Sequence, residues 1–149
     1  SFSVVLSEAL RAAGLGSKVI IAQFLKGGVT QGPKGAINLC GNLEWIRPEF
    51  QACIPDHPPA GSSELSDKIQ KKAITEVWDF CKQRLNDNKI EKIVLDEIGM
   101  AVALGFITEK DLISTLTNRP SSTDIILTGP SIPSQIMEMA DQVTELRCS

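Results

Sequence analysis

Asp96 and Glu97 follow directly on the apolar run Ile93-Val94-Leu95, which Lys92 precedes. An acidic pair at the carboxyl end of a buried strand stands in the crevice where open α/β sheets bind ligands, within reach of a phosphate-bound Mg²⁺. The pair is a candidate metal site, with Glu97 as ligand, directly or through water, and Asp96 as second ligand or orienter. The same letters have a plainer role, because an Asp after a hydrophobic strand can cap the next helix. Three further residues sit at or just past the ends of apolar runs and are candidate nucleotide contacts: Gln23, Lys26 and Thr128. Lys26 can meet a phosphate or stand exposed beside the Gly27-Gly28 turn. Gln23 can orient a ligand or pair with backbone, and Thr128 can sense a phosphate or serve only as a β-branched strand residue.

Other chemistries find little support. The single histidine, His57, lies among Asp56, Pro58 and Pro59 as a solvated loop residue, and no Ser/His/Asp or Cys/His spacing stands out. Cys40, Cys53, Cys81 and Cys148 are scattered, with no CxxC pair, which argues against zinc and for free thiols in a reducing compartment. Met100, Met137 and Met139 are explained as packing residues. The chain has 149 residues, 42% hydrophobic and 22% charged, the size and content of one soluble domain with a substantial core. A net charge of −3 gives no general attraction to nucleic acid or an acidic membrane. No apolar run reaches the roughly 18 to 20 residues that span a bilayer, and the amino terminus lacks a signal-peptide pattern. A cytoplasmic location is expected; a processed organellar protein also fits.

The elements that must position these residues alternate. Val4, Val5, Leu6, Ala9, Leu10 and Ala13 form a helical face that Gly14 and Gly16 end, so the chain opens inside a helix. Val19 to Phe24 is too nearly all apolar for an exposed sheet face and predicts a parallel strand buried on both sides. Gly27-Gly28 and Gln31-Gly32-Pro33 break regular structure, and Leu43 to Ile46 is a shorter strand. From Arg47 to Ser66 a long loop carries Pro48, Pro55, Pro58 and Pro59. Ser66 then caps a helix whose buried face runs through Ile69, Ala73, Val77, Phe80 or Cys81, and Arg84 or Leu85.

After the acidic strand, Gly99 to Gly105 predicts a short helix or turn. Thr108 to Asp111 has the spacing of a capping box before a helix that stops ahead of Pro120. Asp124 to Thr128 predicts another buried strand, Pro133 the first residue of a helix through Ile136, Met139 and Ala140, and Gln142 to Leu146 a last strand. The sum is an α/β fold of three layers, a mainly parallel sheet with helices on both faces, in a single domain over 1–149.

Six ordered blocks carry a resemblance: Arg11 to Gly16, Gln23 to Gly27, Val94 to Ile98, Asn118 to Pro120, Ile126 to Gly129, and Ala140 to Arg147. Together they resemble the ATP:corrinoid adenosyltransferases of the P-loop, RecA-like class. The resemblance implies a P-loop NTPase fold and a homodimer. It also implies transfer of the 5′-deoxyadenosyl group of ATP to reduced corrinoid cobalt, with Mg²⁺ as cofactor.

The chain also departs from that pattern. Ser1, Phe2 and Ser3 stand where the family has the Lys-Thr-Thr that ends its phosphate loop, so neither the lysine charge nor the Mg²⁺-holding hydroxyl pair is reproduced. The loop's glycines and the family's first strand would precede Ser1, and the expectation is a fragment of a longer sequence. The family's Phe-x-Trp pair, which presses on the corrinoid, is expected near Ala52-Cys53-Ile54, with Phe50 and Trp45 nearby; Trp45, in a strand, reads as core. Two functions follow: an adenosyltransferase, or a noncatalytic binding or interaction module that kept the fold and lost the phosphate loop.

Overall fold

A computed structural model describes residues 2–25, 27, 32–39, 41–49, 63–87 and 89–144. Within them five strands form one sheet in the order β2-β3-β1-β4-β5, where β1 is Val19–Gln23, β2 Ile37–Leu39, β3 Leu43–Ile46, β4 Lys92–Asp96 and β5 Asp124–Thr128. β1 pairs in parallel with both β3 and β4, and β4 in parallel with β5. Helix α1 (Phe2–Gly14) covers one face of the sheet. The other face carries α2 (Ser63–Asn86), α3 (Ile98–Ala103), α4 (Glu109–Thr117) and α5 (Ser134–Met139).

Alternation along the strands feeds both layers. Val19 and Ile21 join Leu43 and Val94 against Ala9 and Ala13 of α1. Ile20, Ala22, Ile93 and Leu95 face a larger core built by Ala73, Ile74, Val77, Trp78, Leu112, Leu116 and Ile136. All of β1 is buried, which is why its sequence reads as continuous apolar residues rather than as an alternating pattern. The three-layer, mainly parallel architecture is the one the sequence predicts.

Several expectations need correction. Between Pro33 and β3, where the sequence reading places no element, lies β2, which returns antiparallel on β3 with Leu39 opposite Leu43; Gly41, at φ 72°, makes the tight reversal a left-handed residue allows. Helix α2 begins at Ser63, not after Ser66, and its buried face includes Ile74 and Trp78 while Ile69 is exposed. Pro133 is the cap of α5 rather than its first residue. Strand β5, expected to be buried, is an edge strand: Ile125, Ile126 and Leu127 are only half-buried because no described strand pairs with its outer side. Gln142 to Thr144, expected to begin a last strand, is not strand; Glu145 and Leu146 lie outside the described residues.

Cys81 is buried in the larger core, and burial pushes its thiol far above its ordinary range, so it packs as a small hydrophobe. Cys40, Cys53 and Cys148 lie outside the described residues.

Candidate functional site

The parallel register aligns the carboxyl ends of the strands. Gln23 is level with Asp96, and Asp96 with Thr128. Ala22 is level with Ile46, which puts Arg47, the next residue after β3, beside Gln23. One residue from each of four neighbouring strand ends therefore stands in a row, on the face of the sheet that α1 covers.

These side chains are joined by hydrogen bonds. Asp96 is buried, and both its oxygens are engaged: Oδ2 accepts from Gln23 Nε2 at 3.0 Å and Oδ1 from Thr128 Oγ1 at 2.6 Å. Gln23, also buried, accepts at Oε1 from Trp45 Nε1 at 2.9 Å and from Arg47 Nε at 2.7 Å. Two donors on Oε1 and a carboxylate on Nε2 fix which way the amide points. The chain Arg47/Trp45–Gln23–Asp96–Thr128 leaves no buried side-chain nitrogen or oxygen unsatisfied among the described residues. A buried carboxylate is tolerated only with such donors, since its desolvation is otherwise uncompensated.

Glu97 has a different environment. It is half-buried at the turn from β4 to α3 and adopts a left-handed backbone, φ 64° and ψ 23°, rare for a residue with a Cβ. Close backbone packing holds it there. Its N–H donates to the Thr128 carbonyl at 3.0 Å, and a side chain at Gly129 would meet the Glu97 Cα at 3.0 Å. A Cβ at Gly99 would lie 2.4 Å from the Pro130 carbonyl oxygen, so α3 can approach the loop after β5 only through glycine. Ser131, on that loop, is the other non-glycine residue with positive φ among the described residues. Unusual backbone at a strand tip is costly, and persists where surrounding structure enforces it.

Glu97 occupies the cap position of α3, but its side chain makes no capping hydrogen bond, and Asp96 spends its oxygens on Gln23 and Thr128. The helix-cap role that sequence allows for this pair is therefore not the one adopted. Asp96 is committed to the row, and the Glu97 carboxylate has no hydrogen-bond or ion-pair partner among the described residues. The donor set fits Mg²⁺, which keeps several waters and binds through one or two carboxylates plus substrate phosphates rather than in a protein cage. No cluster of three or more His, Cys, Asp or Glu side chains suited to a metal occurs among the described residues.

Of the five residues expected at the site, Gln23, Asp96, Glu97 and Thr128 come together. Gln23 pairs with side chains, not with backbone. Lys26, Phe50, Ala52-Cys53-Ile54 and His57 lie outside the described residues. Phe2, at the start of α1, packs edge-on against Trp45 with ring centroids 6.0 Å apart, so Trp45 is part of the core against α1 and also a hydrogen-bond donor to the row. Arg47 was not among the expected residues; its one sequence signal is its place immediately after a strand, on the edge that carries Gln23 and Asp96.

The family described as ATP:corrinoid adenosyltransferase BtuR/CobO/CobP matches residues 3–149. A corrinoid adenosyltransferase of Escherichia coli (strain K12) is 34% identical over 145 residues, covering 97% of this chain and 69% of that protein. Corrinoid adenosyltransferase CobA of Salmonella typhimurium (strain LT2) matches with the same identity and coverage. A corrinoid adenosyltransferase of Pseudomonas aeruginosa is 27% identical over 139 residues, 91% of this chain and 64% of that protein.

Proposed function

The chain belongs to the ATP:corrinoid adenosyltransferase family, and from that premise we propose that it transfers the 5′-deoxyadenosyl group of ATP to the reduced cobalt of a corrinoid at the carboxyl edge of its sheet. The observation that carries the reading is the row of four strand-end side chains beside Glu97, whose carboxylate has no partner among the described residues. Reduced cobalt is the nucleophile: a cobalt–carbon bond forms at the 5′ carbon, the carbon–oxygen bond breaks and triphosphate leaves.

The protein's own part is placement. Glu97 would hold Mg²⁺ directly or through water, and Asp96, fixed by Gln23 and Thr128, would orient the ion's water shell. Bound there, Mg²⁺ supplies positive charge to the triphosphate. Thr128 spends its one hydrogen on Asp96 and keeps its oxygen lone pairs to accept from a water, through which it would meet a phosphate. Lys26, two positions after Phe24 in the sequence, is a further candidate phosphate contact in this reading.

The reading includes a further parallel strand on the open side of β5, the strand that the family resemblance puts before α1 together with the phosphate loop. Its support is the contrast between β1, buried throughout, and the half-buried isoleucines and leucine of β5. A homodimer and a cytoplasmic location belong to the same reading. They are compatible with the finding that no helix among the described residues is long and apolar enough to cross a membrane. Light scattering on the purified protein tests the dimer.

The noncatalytic alternative draws on Phe2, which packs on Trp45 where the family carries the threonine of its phosphate loop. Incubation with ATP, Mg²⁺ and a chemically reduced corrinoid decides between them. The adenosyltransferase yields a cobalt–carbon bond, visible as the absorbance change of the alkylated corrinoid; a folded preparation that gives none supports the alternative.

A further inference from the structure

Arg47 is half-buried, and no carboxylate among the described residues pairs with it. Its Nε donates to the neutral amide oxygen of Gln23 at 2.7 Å, and its guanidinium lies over the Trp45 ring, 5.2 Å from the centroid. The two Nη groups meet no protein acceptor among the described residues, and none of the ion pairs there includes Arg47. Two other partly buried cations are paired: Lys82 with Asp111 at 3.0 Å and Arg84 with Glu44 at 3.1 Å.

The held part of Arg47 and the open part have different uses. A guanidinium gripped at Nε and stacked on an indole loses its freedom to turn, while its Nη pair stays available as a two-pronged donor for a phosphate. The grip comes from Gln23, whose other end is tied to Asp96, so the cation is fixed relative to the carboxylates across two strand spacings, roughly 10 Å. That separation suits a polyphosphate lying along the edge, with one end near Glu97 and the other near Arg47. A held, unneutralised cation at this edge would also stabilise charge as it grows on a departing triphosphate.

We propose that Arg47 is a further substrate-binding residue that holds the triphosphate of the nucleotide through its Nη groups, with Trp45 and Gln23 as positioning residues. This rests on the assignment of the carboxyl edge as the nucleotide site. The test is calorimetric titration of purified protein with inorganic tripolyphosphate, with MgATP and with the corrinoid. Arg47→Gln weakens tripolyphosphate and MgATP binding about 10- to 100-fold, the scale of lost charge-assisted hydrogen bonds, and leaves corrinoid binding unchanged. Arg47→Lys recovers only part of the loss, because an ammonium offers neither the fork nor the stack. Arg47→Met keeps the apolar stem on the Trp45 ring and carries the same expectation as Arg47→Gln if that variant unfolds early. Wild-type tripolyphosphate affinity in a folded Arg47→Gln or Arg47→Met protein overturns the assignment. So does a loss confined to a corrinoid that bears a phosphodiester. Arg47-dependent tripolyphosphate binding in a protein that forms no cobalt–carbon bond upholds the assignment and refutes the transferase reading alone.

Discussion

Two places in the molecule use the same three-part device with opposite electrical results. Between α2 and α4, one oxygen of Asp111 accepts from Trp78 Nε1 at 2.7 Å and from Lys82 Nζ at 3.0 Å, and the lysine lies over the same indole, 5.6 Å from its centroid. At the carboxyl edge one oxygen of Gln23 accepts from Trp45 Nε1 and Arg47 Nε, and the arginine lies over that indole. The acceptor differs. A carboxylate neutralises its cation and the device becomes a fastener between helices; an amide holds its cation in place and leaves the charge available. The first arrangement serves the fold, and the second serves a ligand.

That difference can be broken first at Glu97. Glu97→Gln should lower adenosyl transfer about 100- to 1,000-fold, the cost of removing one preorganised electrostatic group, with the unfolding midpoint unchanged. The matching change at the fastener, Asp111→Asn, should leave transfer unaffected. A turnover assay run beside thermal unfolding reads both, and equal losses of activity at the two positions would dissolve the distinction.

Next in size is the backbone that shapes the edge. Gly99→Ala puts a Cβ 2.4 Å from the Pro130 carbonyl oxygen and should destabilise by about 3 kcal/mol in denaturant titrations, because backbone on both sides must move. Glu97→Gly should do the opposite. It relieves the left-handed strain and gains about 1 kcal/mol of stability while abolishing transfer, the mark of a residue kept for its chemistry at the expense of the fold. A Glu97→Gly protein less stable than wild type would show that the carboxylate is structural.

The smallest effect sharpens the fastener. Asp111 is held below its ordinary 3.8, first by the Trp78 hydrogen bond and then by Lys82, and Lys82 is raised above 10.5 by its carboxylate neighbours against the opposing effect of burial. A lowered carboxyl contributes stability that is present above 3.8 and lost as pH falls through the lower folded value. A raised lysine contributes below 10.5 and loses its contribution as pH rises through the higher folded value. Asp111→Asn should cost about 1 kcal/mol at neutral pH, small because both partners are partly solvated. The difference from wild type should vanish at acid pH; a difference independent of pH would contradict the account.

The sequence exposes what is local and buried. β1 and β4 read as continuous apolar runs because both their faces are covered, and Asp96 and Glu97 stand out because they end such a run. Thr108 was recognisable as a cap from its neighbours, and its side chain accepts from the Asp111 N–H. What stayed hidden depends on distant partners. The role of Gln23 is set by residues 22, 24 and 73 positions away, and that of Arg47 by a register between strands. The exposure of β5 depends on what stands beside it, which its letters do not encode. Trp78 reads as one more helical apolar residue until α4 brings Asp111 to its indole N–H.

Titration of MgATP into wild type, Glu97→Gln and Asp111→Asn, each with and without Mg²⁺, tests the carboxyl edge as the nucleotide site most directly. Mg²⁺-dependent binding that Glu97→Gln loses and Asp111→Asn keeps is the expected result. Binding that ignores Mg²⁺ and survives Glu97→Gln in a folded protein would contradict it.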